Sequence, residues 1–336
     1  MRVCILGAGL SSLTLAKALV NQNIYVDLFP QKKINSPDIS RTIGVSKSNI
    51  EFFNNSVINI DKISWKLKKI EIFSDNLRNE KLINFENNGN ELFSIIKNKS
   101  LYEILEKSLF NDKYFKKFDI LNNYNFLDNY SLVINTDFNN AITKKYFSRK
   151  ILKKYNSVAY TTTIHHEKIV NDIAVQIFTK TGPLAFLPIS EKKTSVVYSL
   201  KNKKNENINN LIEKYNRKYK IKKIEKINYF ELKSLSLRSY YHNHILAFGD
   251  LLHSVHPLAG QGFNMTIRDI KIFLDVIVSK YSLGLNLDSS VNYEFEKKLK
   301  HKNFIFSNGI DLVHEFFNFE RKTNTCLLYT SDAADD

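Results

Sequence analysis

The chain has 336 residues, 43% of them hydrophobic and 12% aromatic. That supports one large core or two ordinary ones and excludes wholesale disorder. The net charge is +15, from 49 Lys+Arg against 34 Asp+Glu, which raises nucleic acid or an anionic membrane surface as partners.

The positive excess is mostly lysine, scattered among Asn and Ile, as in Lys201-Asn202-Lys203-Lys204-Asn205. No nucleic-acid reader motif accompanies it, so no nucleic-acid partner is expected. No apolar run reaches the roughly 20 residues that cross a bilayer. The two cysteines, Cys4 and Cys326, form no disulfide framework. They suit a reducing compartment, and a cytoplasmic location is expected.

In chain order, residues 3–6 predict a buried strand, Gly7-Ala8-Gly9 a turn, and the next residues a helix through Val20. A second strand follows over 24–29, closing a β-α-β unit. The Gly-x-Gly interruption and Lys17 argue against reading this start as a signal peptide. Helical spacing recurs over 49–54 and 101–109, and apolar strands over 70–73 and 132–134. From residue 158 the period changes to alternation. Strands are expected at 158–164, 173–179 and 194–200, with turns at Asn171-Asp172 and Gly182-Pro183. This predicts an antiparallel sheet. A helix over 208–219, a strand over 245–248, a helix from about Gly262 past Ile277 and a mostly helical stretch over 292–317 complete the pass.

Two motifs carry chemistry. The first is Gly7-Ala8-Gly9-Leu10-Ser11-Ser12, between a strand and a helix. Gly7 permits the tight turn, Gly9 lets backbone approach a pyrophosphate, and the helix start offers free N–H groups to phosphate. Ser12 stands where Gly or Ala is usual. Pro30 stands where an acid would hold the ribose, and Asp27 points elsewhere by alternation. The second motif runs from Gly249-Asp250 through His253, His256, Pro257, Gly260, Gln261, Gly262, Phe263 and Asn264 to Arg268-Asp269. Asp250 is placed to accept hydrogen bonds from a polyol. Pro257 fixes a loop, Gly260 and Gly262 let backbone lie against a flat ligand, and a helix aims its positive end at the same place.

With this second motif the sequence resembles the FAD-dependent aromatic hydroxylases of the para-hydroxybenzoate hydroxylase fold, and among them the ubiquinone-biosynthesis hydroxylases. Arg41-Thr42-Ile43-Gly44-Val45-Ser46 is similar to the family's Arg-Thr segment. Gly182-Pro183-Leu184-Ala185-Phe186-Leu187-Pro188 is similar to a signature of that branch, with His166-Glu167 at the usual distance before it. Asp311 with Phe316-Phe317 resembles its C-terminal helix.

The fold this implies is α/β (α+β): a Rossmann-like FAD-binding domain with an inserted antiparallel-sheet substrate domain. The FAD-binding domain covers 1–150, with short substrate-domain strands near 70–95, and returns over 236–325. The inserted sheet covers 151–235. Residues 326–336, CLLYTSDAADD, match a translated sequencing adapter and are expected to be foreign to a truncated chain.

The resemblance also implies a site. FAD would lie on Gly7, Ala8, Gly9, Ser11 and Ser12, with Asp250 at the ribityl chain or pyrophosphate. The loop from Pro257 through Gly260, Gln261, Gly262 and Phe263 to Asn264 would line the ring, and Arg41 would lie beside the flavin. Leu184, Phe186 and Pro188 would wall the substrate, between flavin and sheet. Reduced flavin, supplied by NAD(P)H or another electron donor, would take up dioxygen as a C4a-hydroperoxide and hydroxylate a polyprenylated phenol. No catalytic side chain is named. Peripheral docking on the inner membrane and association with other quinone-biosynthesis enzymes belong to the same expectation.

The family's Asp-Gly element appears as Asp137-Phe138, and its later Arg as Lys144. These departures keep a non-catalytic subunit open as an alternative, beside hydroxylation of a soluble phenol. A plain NAD-dependent dehydrogenase leaves the second motif unexplained. No metal is expected at His253 and His256, since no ligand pattern completes the pair. His165-His166-Glu167 reads as an exposed strand end, and Cys4 as inert packing. Trp65 is the only tryptophan, and the halogenase Trp motif is absent.

Overall fold

The computed structural model describes residues 2–30, 41–75, 81–86, 90–119, 124–201, 207–254 and 261–323. The chain opens with β1 (Arg2–Leu6), α1 (Leu10–Val20), β2 (Tyr25–Phe29), β3 (Thr42–Ser46) and α2 (Lys47–Ser56). There follow β4 (Ser64–Leu67), β5 (Lys69–Ser74), β6 (Lys81–Glu86), β7 (Phe93–Lys97), α3 (Asn98–Phe110), β8 (Phe115–Lys117), β9 (Val133–Asn135) and α4 (Ala141–Tyr146). The middle holds β10 (Lys150–His166), β11 (Ile173–Thr179), β12 (Gly182–Ser190), β13 (Lys193–Lys201), α5 (Ile208–Tyr215), β14 (Ile221–Ile224) and β15 (Asn228–Leu237). The last elements are β16 (Tyr241–His242), β17 (Ile245–Ala247), β18 (His253–Ser254), α6 (Gln261–Ser282) and α7 (Ser289–Thr323).

The described residues divide into two compact units. The first takes them from Met1–Lys66, Phe93–Tyr155 and Lys233–Asn303; the second from Leu67–Leu92, Asn156–Leu232 and onward from Phe304.

The first unit is built on a sheet of order β16-β17-β9-β1-β2-β8. Its neighbours β17–β9, β9–β1, β1–β2 and β2–β8 are parallel. Val3 to Leu6 have no exposed surface, as expected of a parallel strand covered on both faces. Helix α1 is buried nearly all round, from Ser12 to Ala16 and from Ala18 to Val20. Its sequence is correspondingly apolar on every side. A smaller sheet of order β3-β7-β4 joins this unit.

The second unit is built on an antiparallel run through β10, β13, β12 and β11, which continues by a parallel step to β5 and then to β6. Its core gathers Leu184, Phe186, Val196 and Tyr198 under Ile208, Ile212 and Tyr215 of α5. Those three α5 residues, at i, i+4 and i+7, form one helical face.

Three expectations are corrected. Gly182-Pro183 opens β12, and the turn falls one step earlier, at Lys180-Thr181. Helix α5 stops at Tyr215, not Tyr219. There Asn216 accepts a hydrogen bond from the Tyr219 N–H at 2.9 Å and donates to its carbonyl at 2.6 Å, a side-chain turn that competes with the helix. His166 is no exposed strand end. It is 3% exposed, stacked on Tyr219 and bonded to Thr194. Residues 326–336 lie outside the described residues.

Candidate functional site

Strand β1 sits between β2, which follows it through α1, and β9, which arrives much later. The strand order reverses there, and such a switch point opens a crevice at the carboxyl ends of β1 and β9. Gly7 stands at that point, with φ +113°. A β-carbon on Gly7 would fall 2.2 Å from the Thr136 hydroxyl, so only glycine fits. Thr136 follows β9 and donates to the Leu6 carbonyl at 3.0 Å. The same oxygen shares a 2.7 Å hydrogen bond with Ser12. Ser12 is fully buried, so its hydroxyl is a tie between two loops and not a misfit in the fingerprint. Ala8 is buried beside it.

Gly9 caps α1 without any side-chain hydrogen bond to the helix. A β-carbon there would meet nothing within 4 Å. The first N–H groups of α1 therefore face open space with the positive end of the helix dipole behind them, which suits a phosphate.

The second motif arrives from the next strand, β17. Gly249 has φ +64°, and a β-carbon there would come within 2.7 Å of the Ser11 β-carbon. Residues 238 positions apart thus touch, and the loops after β1, β9 and β17 converge. Asp250 lies in the turn that follows. Solvent reaches its side chain, yet crowding by protein pushes its carboxyl above the ordinary range, an effect opposed by the charges of His253 and Arg41. Both facts hold for a carboxylate on the floor of a concave surface, where water touches it but low-dielectric protein fills most of its surroundings. Arg41 is exposed at the start of β3.

Helix α6 begins at Gln261, so its leading N–H groups also lack intrahelical partners. Gly262 is there, and a β-carbon on it would meet nothing. Phe263 is half-buried, its ring 6.3 Å from that of Phe53. Asn264 is turned inward. It accepts from the Ser46 N–H at 3.1 Å and from Asn49 Nδ2 at 2.8 Å, and donates to the Gly44 carbonyl at 2.8 Å. Its side chain clamps α6 to β3, and only its backbone remains for a ligand. Pro257, Gly260 and His256 lie outside the described residues.

Asp27 is 2% exposed and holds Tyr130 Oη at 2.7 Å and Arg2 at 3.4 Å; it is internal. Asp137 accepts from the Asn139 and Asn140 N–H groups, shaping the loop after Thr136. Phe138 and Lys144 are exposed beside it. The proposed substrate wall needs correction: Leu184 and Phe186 belong to the core under α5, and Pro188 is buried on the same face of β12. The opposite face of β12 presents Pro183, Ala185, Leu187 and Ile189, all half-buried. Cys4 is fully buried, and burial pushes its thiol far above the ordinary range, so no reactive thiolate forms. Among the described residues no group of three or more His, Cys, Asp and Glu side chains could hold a metal.

Sequence reasoning missed Thr136, which carries no motif, and the pairing of His253 with Asp269. Only the spacing of the second motif hinted at the latter.

An uncapped α1 start, backbone left open among the described residues at Gly9 and Gly262, and a carboxylate suited to a polyol fit a flavin dinucleotide. They make a candidate dinucleotide site at the switch point of a Rossmann-like sheet. The FAD binding domain family matches residues 141–278. The 3-demethoxyubiquinol 3-hydroxylase of Escherichia coli is 26% identical over 182 residues, 49% of this chain and 45% of that protein. An uncharacterized Synechocystis protein is 27% identical over 176 residues, 49% of this chain and 42% of its own length. The chain thus spans under half the length of these relatives.

Among solved structures, the probable FAD-dependent monooxygenase PqsL of Pseudomonas aeruginosa superposes with a TM-score of 0.72 at 14% identity, covering 92% of this chain and 93% of that one. Klebsiella pneumoniae HpxO, crystallised with FAD, superposes with a TM-score of 0.73 at 13% identity, covering 96% and 94%. The chain is similar to the FAD binding domain family over those residues, and it shares its fold with FAD-dependent monooxygenases of known structure.

Proposed function

We propose that the protein is an FAD-dependent monooxygenase that hydroxylates the aromatic ring of a polyprenylated quinone precursor. One observation carries the reading: the loops after β1, β9 and β17 converge, with Gly249 against Ser11 and Arg41 acting on Asp250. The ubiquinone hydroxylase named among the relatives supports the substrate class. FAD, reduced by NAD(P)H or another donor, supplies the activation of dioxygen when bound; the protein supplies orientation, water exclusion and electrostatics. The α1 start and Gly9 take the pyrophosphate. Asp250 accepts hydrogen bonds from the cofactor's hydroxyl groups. Arg41 balances charge beside it. Association is peripheral, at an anionic membrane surface.

The test is an absorbance spectrum of the purified protein with and without added FAD, followed by turnover. Flavin bands at about 370 and about 450 nm belong to the cofactor. Their retention after gel filtration, with a product one oxygen atom heavier from a prenylated phenol, NAD(P)H and dioxygen, is the expected result. A short-chain soluble phenol turned over in preference to the prenylated one rejects the substrate class. A protein that cannot be loaded with FAD rejects the reading and leaves a non-catalytic binding subunit.

A further inference from the structure

We propose that the buried pair His253–Asp269 is a positioning device for Asp250, fixing the turn that carries this carboxylate. The inference rests on the FAD site described above.

Asp250 stands in a short turn, Gly249–Leu251. Leu252 donates to the Gly249 carbonyl at 2.9 Å, and Leu237 donates to the Leu252 carbonyl at 3.1 Å. The chain then enters β18, where His253 turns inward, 3% exposed. Its Nε2 hydrogen-bonds Asp269 of α6, which has no exposed surface. The other Asp269 oxygen accepts from Arg268 at 3.1 Å. The same Arg268 nitrogen reaches Asn303 of α7, and Asn303 donates to the Tyr240 hydroxyl at 3.2 Å. Burial pushes that hydroxyl up to about 12, so Tyr240 remains neutral. Five side chains thus tie β18 to α6, α7 and the approach to β16.

Stability alone does not account for this chain, because a buried ion pair is commonly matched by apolar side chains of equal size. Its placement gives a better account. His253 is three residues from Asp250, and its charge and that of Arg41 are what oppose the crowding of that carboxylate. Among the described residues, Arg41 and His253 face Asp250, Asp269 and Asp250 face His253, and His253, Arg268 and Tyr240 face Asp269. The tether also links α6, whose first turn is part of the site, to the loop that carries Asp250.

The experiment measures FAD dissociation constants by flavin fluorescence on reconstituted protein between pH 6 and pH 8.5. The proteins are wild type, His253→Leu, His253→Gln, Asp250→Ala and the double variant His253→Leu/Asp250→Ala. The thermal midpoint of each apoprotein is measured alongside. His253→Leu is expected to weaken FAD about tenfold or more, the scale on which outer partners act on metal ligands. His253→Gln keeps an N–H for Asp269 but not the charge. Its FAD affinity is expected to lie between those of wild type and His253→Leu. In the Asp250→Ala background, His253→Leu is expected to cost no further affinity.

Equal losses in both backgrounds, or a loss that follows the apoprotein midpoint, overturn the proposal in favour of a merely structural pair. So does unchanged affinity in His253→Leu. If His253→Leu does not fold, His253→Gln in the same two backgrounds decides: a loss confined to the Asp250 background supports the proposal, and equal losses overturn it. Failure of wild type to bind FAD sinks the function proposed above together with this inference, whereas additive losses with tight wild-type binding sink this inference alone.

Discussion

A methyl group at position 249 would fall 2.7 Å from the Ser11 β-carbon, in backbone with φ +64°. Gly249→Ala is therefore strained twice, by conformation and by contact. It is expected to cost about 1–3 kcal/mol in urea denaturation and to weaken FAD. Adding Ser11→Gly relieves the contact but not the conformation, so it restores part of the loss. Asp250 gives a second prediction at this scale. Crowding raises its carboxyl above the ordinary 3.8. Between that value and the raised one, the folded protein binds more protons than the unfolded chain. Stability therefore falls as pH rises through this window and stays lower above it. Asp250→Asn removes the charge. Its apoprotein is expected to melt above wild type at pH 7, with the difference closing toward about pH 4, while FAD binding weakens. A variant that melts with wild type at every pH removes the argument for crowding. Gly7, Gly9 and Asp250 were legible because a tight turn, an open backbone and a strand-end acid each demand a residue type. Thr136 was not, since a lone threonine says nothing until β9 is laid beside β1.

The two faces of β12 show what pattern alone leaves open at the level of an element. Alternation separates Leu184, Phe186 and Pro188 from Ala185 and Leu187, but cannot say which set a helix will cover. That is decided by α5, whose Ile208, Ile212 and Tyr215 close over the first set. Phe186→Ala is accordingly expected to cost about 3–5 kcal/mol and Ile212→Ala about 2–5 kcal/mol in equilibrium denaturation. Leu187→Ala, on the half-buried opposite face, is expected to cost less stability than either. If Phe186→Ala melts normally, the assignment of faces is reversed. The opening β-α-β unit was legible because its strands and helix are apolar throughout, with glycine between them. Strand β15 was not: Ser234 and Ser236 fall in the phase of Phe230 and Leu232 and break the alternation, and neighbours in the sheet supply what its own sequence lacks. The end of α5 was hidden for a similar reason, since the Asn216 turn depends on side-chain geometry that spacing does not encode.

For the molecule as a whole, two cores form from segments that interleave along the chain. The change from helical to alternating period near residue 158 marked the second unit. The crossings at Leu67 and Phe93 left little trace, because β5 and β6 are short and belong to a sheet whose other strands come much later. The site residues above all lie in the first unit. FAD at a hundred times its dissociation constant should therefore stabilise it by about 2.7 kcal/mol, read as a higher thermal midpoint. The charge of +15 acts at the same scale. Lysines spread over the surface make no specific site, but each one near an anionic bilayer contributes about 1 kcal/mol, screened over a Debye length of about 10 Å at 0.1 M salt. No helix among the described residues is long and apolar enough to cross a membrane, and the docking proposed above is electrostatic. The protein is expected to co-sediment with vesicles of phosphatidylcholine and phosphatidylglycerol at low salt, to be released by roughly 0.3 M salt, where the Debye length falls to about 6 Å, and to ignore vesicles of phosphatidylcholine alone. Binding that survives high salt would assign the attachment to apolar insertion, and absence of binding at low salt would leave the substrate to reach the enzyme by some route other than the bilayer surface.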